Sequence, residues 1–551
     1  MLTRRDLLCT GSGVAAAMLL SQREALARGA AAARLPRFVD PLAVPPTVRA
    51  GHDGGIRMTM RPGRQRVHAA LPDTAIWGFD GGEGPTWPGP TIEAARDIPL
   101  WIAQHNALGK EHLFHDSVDP ATWHGPFPEF DGRELGQEQV GTPRAATHLH
   151  GARVAPGDDG FPDAWSLHGE TITYRYPNRQ HPLSQRAPAL WYHDHAVAIT
   201  RLNAYAGLSG FYLIRDPLEE ELGLPVGLPY ELPLMIQDRD FHEDGTQAYP
   251  AAPWVGNVQG AVAVVNGTAW PRHDVDRGVY RLRLLNAAQH RMFHLALDHG
   301  TFTVLGTDGG LLAKPVAGVR TVALAPAERL DVLVDFSSAP AGAKVRLLNV
   351  APESNPPGPR IDEIMRFDVG QQRGHRPGLP GRLDPWFERL DPRQARVRRR
   401  MLMQRLRPDR PASTGNPWLL WYHDPTVPPG TYPAVGDGWR PGFWSDPAFV
   451  RPHAGTTEVW SISNPAPVAH PIHLHLVQFQ ILARHNSADR RRPAAYEGGW
   501  KDTVSIGPHE TVDLVARFDL PDATPTPAPY PWHCHVLEHE DNDMMHAFTV
   551  V

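Results

Sequence analysis

The sequence predicts an all-β protein built as three Greek-key β-sandwich domains. Short runs rich in Val, Ile, Leu and Phe alternate with Gly and Pro punctuation, Pro alone occurring 57 times. No long stretch keeps the 3.6-residue apolar period of an amphipathic helix. Many short strands with turn signals between them are the pattern of β-sandwiches. At 551 residues the chain is also too long for one ordinary core and calls for about three domains. An internal repeat supports that count. Glu328-Arg329-Leu330-Asp331-Val332-Leu333-Val334-Asp335-Phe336 reads against Glu510-Thr511-Val512-Asp513-Leu514-Val515-Ala516-Arg517-Phe518, and Phe302-Thr303-Val304-Leu305 against Phe479-Gln480-Ile481-Leu482. The second and third domains therefore read as duplicates.

In chain order, residues 1–30 come first as a separate segment. Thr3-Arg4-Arg5-Asp6-Leu7-Leu8 precedes an apolar stretch to Leu20, and Ala25-Leu26-Ala27 offers a small-residue cleavage site. This is the pattern of a twin-arginine export signal. The apolar run is too short for a stable membrane anchor and is interrupted by Gly11, Ser12 and Gly13. The first domain is expected over 45–217 and the second over 218–370. An exposed linker follows over 371–398 and the third domain over 399–551. Asn355-Pro356-Pro357-Gly358-Pro359 and the arginines from Arg396 to Arg400 mark the linker region as solvated. A formal net charge of −6 favours neither nucleic acid nor an acidic membrane as partner.

Loss of the leader removes Cys9 and leaves Cys534 without a disulfide partner. In an oxidising compartment such a thiol is a liability unless a metal holds it as thiolate. Cys534 sits in Trp532-His533-Cys534-His535, followed by His539 and Met544. One thiolate, two imidazoles and a weak axial thioether are the ligands of a blue-copper electron-transfer site. The second imidazole must come from elsewhere. Upstream, His470-Pro471-Ile472-His473-Leu474-His475 offers three, just before a strand-like run over 476–482.

His148-Leu149-His150 and His193-Asp194-His195 complete ten clustered histidines. Side chains at i and i+2 of a strand share a face, so each His-x-His pair aims two imidazoles at one point. Applied to His533-Cys534-His535, the rule sends the thiolate to one side and both imidazoles to the other. One strand then serves two metal centres back to back. With His470, Cys534, His539 and Met544 at the blue site, His148, His150, His193, His195, His473, His475, His533 and His535 remain. Eight imidazoles are too many for one ion and suit a three-metal cluster with open positions for dioxygen. Taken singly, each pair is more simply a surface pair or a satisfied core histidine; the joint pattern points to metal. Zinc is the strongest alternative ion, but it is redox-inert, prefers four closed ligands in structural sites and has little use for a thioether.

These four clusters resemble the four copper signatures of the multicopper oxidases, in order and in spacing. Tyr176-Pro177-Asn178-Arg179-Gln180, Leu190-Trp191-Tyr192-His193-Asp194-His195-Ala196, Leu202-Asn203-Ala204-Tyr205-Ala206-Gly207 and His539-Glu540-Asp541-Asn542-Asp543-Met544-Met545 are similar to the spore-coat laccase and bilirubin oxidase branch. The resemblance implies cupredoxin-like domains, four copper ions and dioxygen as acceptor. It implies that His148 and His473 hold the type 2 copper. The type 3 pair then falls to His150, His193 and His535 on one ion and to His195, His475 and His533 on the other. It also implies that Glu540 and Asp159, the latter in Asp158-Asp159-Gly160-Phe161-Pro162, assist proton delivery, work suited to carboxylates tuned by burial. The plain alternative is a turn aspartate and a solvent-facing glutamate.

Setting the first domain against the third places Asp194 where Cys534 stands, Ile199 at His539 and Ala204 at Met544. In the middle copy His294 falls near His473 without a second imidazole and is left out of the site. Only the third domain keeps a blue site, and the three-copper centre is expected between first and third domains with the middle one as spacer.

The implied function is an exported oxidase, periplasmic or extracellular, which takes single electrons from phenolic, aromatic amine or bilirubin-type donors and reduces dioxygen to water with four. The alternative is a metallo-oxidase acting on Cu(I) or Mn(II), against which the eleven methionines are scattered. A non-catalytic scaffold would have lost ligand positions, and a two-domain nitrite reductase does not need eight cluster imidazoles. Trp418, Trp421 and Trp444 are candidates to line a donor pocket. An axial Met544 predicts a moderate rather than a high potential.

Overall fold

Period-two burial sets the architecture: Leu100–Asn106, for example, alternates buried and half-buried residues along its whole length, as a strand with one face on a core must. In the computed structural model, residues 35–136, 139–179, 186–352 and 357–551 are described. The expected export segment, with Arg4, Arg5 and Cys9, lies outside them, as do Gln180, Asn355 and Pro356. Among the described residues no helix is long and apolar enough to cross a membrane.

The strands pair into two five-stranded sheets between Thr47 and Arg215, with a small ribbon of Arg144–Ala145 and Ser166–Leu167 beside them, two sheets between Glu231 and Arg373, and two between Val397 and Val550. Each pair closes on its own core, as two facing sheets do in a sandwich. Phe79, Leu149, Tyr192 and Tyr212 fill the first core, Leu282, Phe293, Val304 and Val332 the second, and Trp460, Ile472, Leu514 and Cys534 the third.

The repeat read from the sequence is a repeat of topology. In each of the last two domains a seven-stranded sheet sets one parallel pair at its centre, Glu231–Arg239 with Val279–Asn286 and Val397–Arg405 with Thr457–Asn464. Arg329–Asp335 and Glu510–Arg517 come next, followed by Phe302–Thr307 and Phe479–His485. These are the segments that the sequence comparison paired.

Three expectations need correction. The last strand of the middle domain, Glu363–Arg373, runs past 370. The arginines of the expected linker are partly strand: Val397–Arg405 pairs with Thr457–Asn464, and Arg399 donates to both oxygens of buried Glu458 at 2.7 Å. The strand expected over 476–482 begins only at Phe479, because Leu476 has a φ of 67° and turns the chain out of His470–Leu474.

One tight passage holds the histidine-bearing strand Thr147–His150 against the loop at Asp159. Gly160 has a φ of 71°, and a Cβ there would lie 2.1 Å from the Thr147 carbonyl oxygen. The Asp159 carbonyl beside it accepts a 2.6 Å hydrogen bond from His148 Nδ1. Gly160→Ala is therefore expected to cost about 1–3 kcal/mol and to lower the copper content; thermal unfolding with metal analysis checks this, and wild-type values for both would contradict the close approach.

Candidate metal centre

The same register brings the histidine pairs together in two domains. His193 lies opposite His148 across an antiparallel pair, and His533 lies opposite His473. Leu149 and Tyr192, one step along their strands, turn into the first core, and Cys534 turns into the third. The alternation expected at 533 to 535 is thus realised. The eight imidazoles meet at the boundary between first and third domains, none more than 2% exposed.

Outer contacts select which nitrogen each ring presents. His148 Nδ1 bonds the Asp159 carbonyl at 2.6 Å, His193 Nδ1 the Asp194 carbonyl at 2.8 Å and His473 Nδ1 the Asp502 carbonyl at 2.9 Å. His475 Nδ1 lies 2.7 Å from Asp159 Oδ2. Glu540 bridges two more rings, with Oε1 3.3 Å from His195 Nδ1 and Oε2 3.0 Å from His533 Nδ1. His150 is reversed: its Nε2 is held by Asp502 Oδ1 and Thr503 Oγ1, both at 3.0 Å.

The opposite nitrogens then converge. His195 Nε2 and His475 Nε2 lie 3.2 and 3.3 Å from His533 Nε2, and His148 Nε2 lies 3.4 Å from His473 Nε2. His150 Nδ1, His193 Nε2 and both nitrogens of His535 are buried without a partner. Burial, and then the neighbouring imidazoles, lower the pKa values of His150, His193, His195, His473, His475 and His535 well below the ordinary histidine value. Neutral rings with lone pairs facing shared gaps, each a buried group that is costly to leave unpaired, are a donor set for metal cations. Copper accepts imidazole and thiolate alike, so the residues fit it.

Behind the strand, Cys534 Sγ lies 3.5 Å from His470 Nδ1 and 3.9 Å from His539 Nδ1, and the Val536 amide donates to the sulfur at 3.4 Å. Met544 is fully buried in the same core, and its carbonyl accepts the Cys534 amide at 3.0 Å. Burial pushes the Cys534 thiol far up, so an anionic sulfur here needs a cation beside it. Of the three candidate tryptophans only Trp418 reaches this site, with its ring centroid 4.8 Å from that of His470 and 5.8 Å from that of His539. Trp421 packs on Tyr432, and Trp444 packs on Phe127 and Phe161 in the first core. In the first domain the place of Cys534 is taken by Asp194, whose oxygens accept from Asn203 Nδ2 and from the amides of Ala146 and Ala196. Protein donors fill that place.

Asp159 and Glu540 are both buried against the outer nitrogens of cluster histidines, not at a turn surface. Burial raises the pKa of Asp159. Sequence reading missed Asp502, Arg329 and His290. No local signal marks the first two: Arg329 opens a strand that also carries Asp331 and Asp335, and Lys501-Asp502 merely precedes the strand Thr503–Ile506.

Residues 434–551 match the multicopper oxidase family. The chain is 35% identical to a laccase of Bacillus stratosphericus, over 94% of this chain and 99% of that relative. It is a multicopper oxidase. This oxidase is also 34% identical, with the same coverage, to a laccase of Bacillus subtilis strain 168. Its fold matches the crystal structure of the McoA multicopper oxidase from Aquifex aeolicus with a TM-score of 0.72 at 25% identity, over 93% of this chain and 99% of that one. Copper binding follows from the family, and the buried histidine groups are compatible with it. In the copper-loaded oxidase Cys534→Ser should abolish the intense visible absorption of a copper–thiolate bond; absorption surviving that change would refute Cys534 as a ligand.

Proposed function

We propose that this laccase-like oxidase holds four copper ions and couples one-electron oxidation of phenolic, aromatic amine or bilirubin-type donors to reduction of dioxygen to water. The supporting observation is the placement of Cys534 in the third core with His470 and His539 while its neighbours His533 and His535 face the eight-histidine gap. His470, Cys534, His539 and Met544 hold the type 1 ion. His148 and His473, whose Nε2 atoms face each other, hold type 2. His195, His475 and His533 hold one type 3 ion, and His150, His193 and His535 the other. Copper so bound supplies single-electron redox chemistry and dioxygen binding. The chain supplies a short covalent route, since Cys534 is bonded through the backbone to both flanking histidines.

Asp159 and Glu540 assist protonation in this reading. Asp159 Oδ1 is buried without a hydrogen bond, 3.5 Å from His148 Nδ1, while Oδ2 faces His475, which places an oxygen able to hold a proton near the gap. Export by the twin-arginine route to the periplasm or cell exterior belongs to the same proposal. Arg4-Arg5 and the unpaired Cys534 support it.

Donor class is argued from a cavity of about 840 Å³ between the middle and third domains, a size suited to an organic ligand. Pro467 and Ala469, just before His470, line it together with His290 and Tyr496. The His290 ring packs against His539 with centroids 5.8 Å apart, and its buried Nδ1 has no partner. That atom suits a donor hydroxyl or amine. Each lining carboxylate is already ion-paired: Glu328 with Lys501, Glu497 and Glu510 with Arg484, Asp362 with Arg360. Met292 is the one thioether among the lining residues. With no free carboxylate and a single thioether beside the imidazoles of His290 and His294, the lining favours an organic donor over Mn(II), which prefers oxygen ligands, and offers Cu(I) no methionine cluster.

Steady-state oxygen uptake with a phenol, an aromatic amine, bilirubin, Cu(I) and Mn(II) should show turnover with organic donors; copper-loaded protein that turns over none of them would sink the proposal. Met544→Leu is expected to raise the potential of the blue site, because the axial ligand tunes it. A redox titration giving a lowered or unchanged potential would remove Met544 from the ligand set.

A further inference from the structure

The middle domain does more than separate the other two. Arg329, the first residue of Arg329–Asp335, is wholly buried. Its Nη1 and Nη2 donate to Oδ1 and Oδ2 of Asp502, both at 2.6 Å, a two-bond fork that fixes both partners in one plane. The remaining donors go to the carbonyls of Ala189 from Nε at 3.0 Å, Ala327 from Nη1 at 3.1 Å and Asp308 from Nη2 at 3.2 Å. All five N–H groups are used, so the guanidinium has a single orientation. Asp308 Oδ1 accepts the Arg329 amide at 2.8 Å, and Oδ2 accepts Lys501 Nζ at 3.0 Å. The segment carrying Asp502 is thereby tied to the middle domain from two sides.

Asp502 in turn holds two cluster histidines, His150 through Oδ1 and His473 through its carbonyl. The Thr503 hydroxyl donates to Asp502 Oδ1 at 2.9 Å and lies between the two rings, 3.0 Å from His150 Nε2 and 3.3 Å from His473 Nδ1. Seven of the eight rings have outer contacts, and only His150 is gripped by Nε2 rather than Nδ1. A carboxylate forked by arginine only accepts, so His150 carries its proton on Nε2 and offers Nδ1 to the gap. The chain just after His150 is pressed on the same pair: a Cβ on Gly151 would lie 2.5 Å from Asp502 Oδ2 and 2.7 Å from Arg329 Nη2.

We propose that Arg329 is a positioning residue of the copper cluster, acting through Asp502 to fix the tautomer and orientation of His150 and the placement of His473. The proposal rests on the assignment of those two rings as copper ligands. Groups that orient metal-bound imidazoles typically matter about ten- to a hundredfold in metal affinity or activity.

The test uses the full-length copper-loaded oxidase and compares Arg329→Lys with Arg281→Lys. Arg281 is an equally buried arginine of the same domain, forked on Asp331 at 2.9 and 2.6 Å, and its side-chain contacts are with Glu219, Glu231, Asp331 and Pro225 rather than with any cluster histidine. Arg329→Lys should alter the electron paramagnetic resonance of the type 2 copper and lower kcat for oxygen uptake about ten- to a hundredfold. Donor KM and visible absorption should stay as in the wild type. Arg281→Lys should lower the melting temperature and leave the resonance signal unchanged. Asp502→Asn, which keeps the side-chain shape, should perturb the same signal and gives the readout if Arg329→Lys does not fold. A wild-type signal in Arg329→Lys, or in Asp502→Asn when that variant supplies the readout, overturns the proposal. So does an equal perturbation in Arg281→Lys. Wild-type oxidase without a type 2 resonance signal would instead overturn the copper assignment.

Discussion

A β-strand cannot turn three successive side chains the same way, and the molecule is arranged around what this does at His533-Cys534-His535. The thiol goes inward among Ile472, Leu474, Trp532 and Met544, and the imidazoles on either side go outward across a domain boundary. His470 and His473 obey the same rule on the neighbouring strand, one facing each way. Two chemically different sites are thus anchored a residue apart at one strand end, with His539 from the short helix Leu537–Glu540 and Met544 just beyond it on the thiol's side. The distance between them is set by covalent geometry.

The outward face creates an energetic problem that the rest of the fold answers. Eight imidazoles are taken out of water together, and their inner nitrogens approach each other to within 3.2–3.4 Å at three places. Neutral rings can be buried, but each still needs partners for two nitrogens. Backbone carbonyls and the carboxylates of Asp159 and Asp502 satisfy one nitrogen on His148, His150, His193, His473, His475 and His533, while Glu540 lies 3.3 Å from His195 Nδ1. What they leave is a set of lone pairs that only cations satisfy together. Folding and metal binding are coupled in such a site, because the assembled ligand set exists only in the folded chain. The middle domain shares in that coupling through Asp308 and Arg329, which reach the outer side of His150 and His473.

Much of this was legible in the sequence because it depends on short-range rules. Strand alternation named the faces of His148, His150, His473, His475 and Cys534, and the duplicated segments around Glu328 and Glu510 named equivalent strands of two sheets. The strand Val397–Arg405 was missed because Arg398 and Arg400 are indeed exposed and read as linker; the strand's partner lies some sixty residues on. Asp502 and Arg329 were invisible for the same reason. Their meaning lies in a contact between residues 173 apart, and neither carries a ligand signature. His290 was not singled out, and His294, which the repeat aligned near a ligand, was left out of the site; the packing of His290 against His539 comes from domain docking that no local pattern encodes.

The central claim is that one strand end divides its side chains between a thiolate site and a histidine cluster. A crystal of the copper-loaded oxidase, measured for anomalous scattering at the copper edge, tests it most directly. The account predicts one peak beside Cys534 Sγ between His470 and His539, and three more enclosed by the eight imidazoles, with the chain of His533 and His535 between the two groups. A map with no peak at the sulfur, or with density confined to one side of that strand, would contradict it.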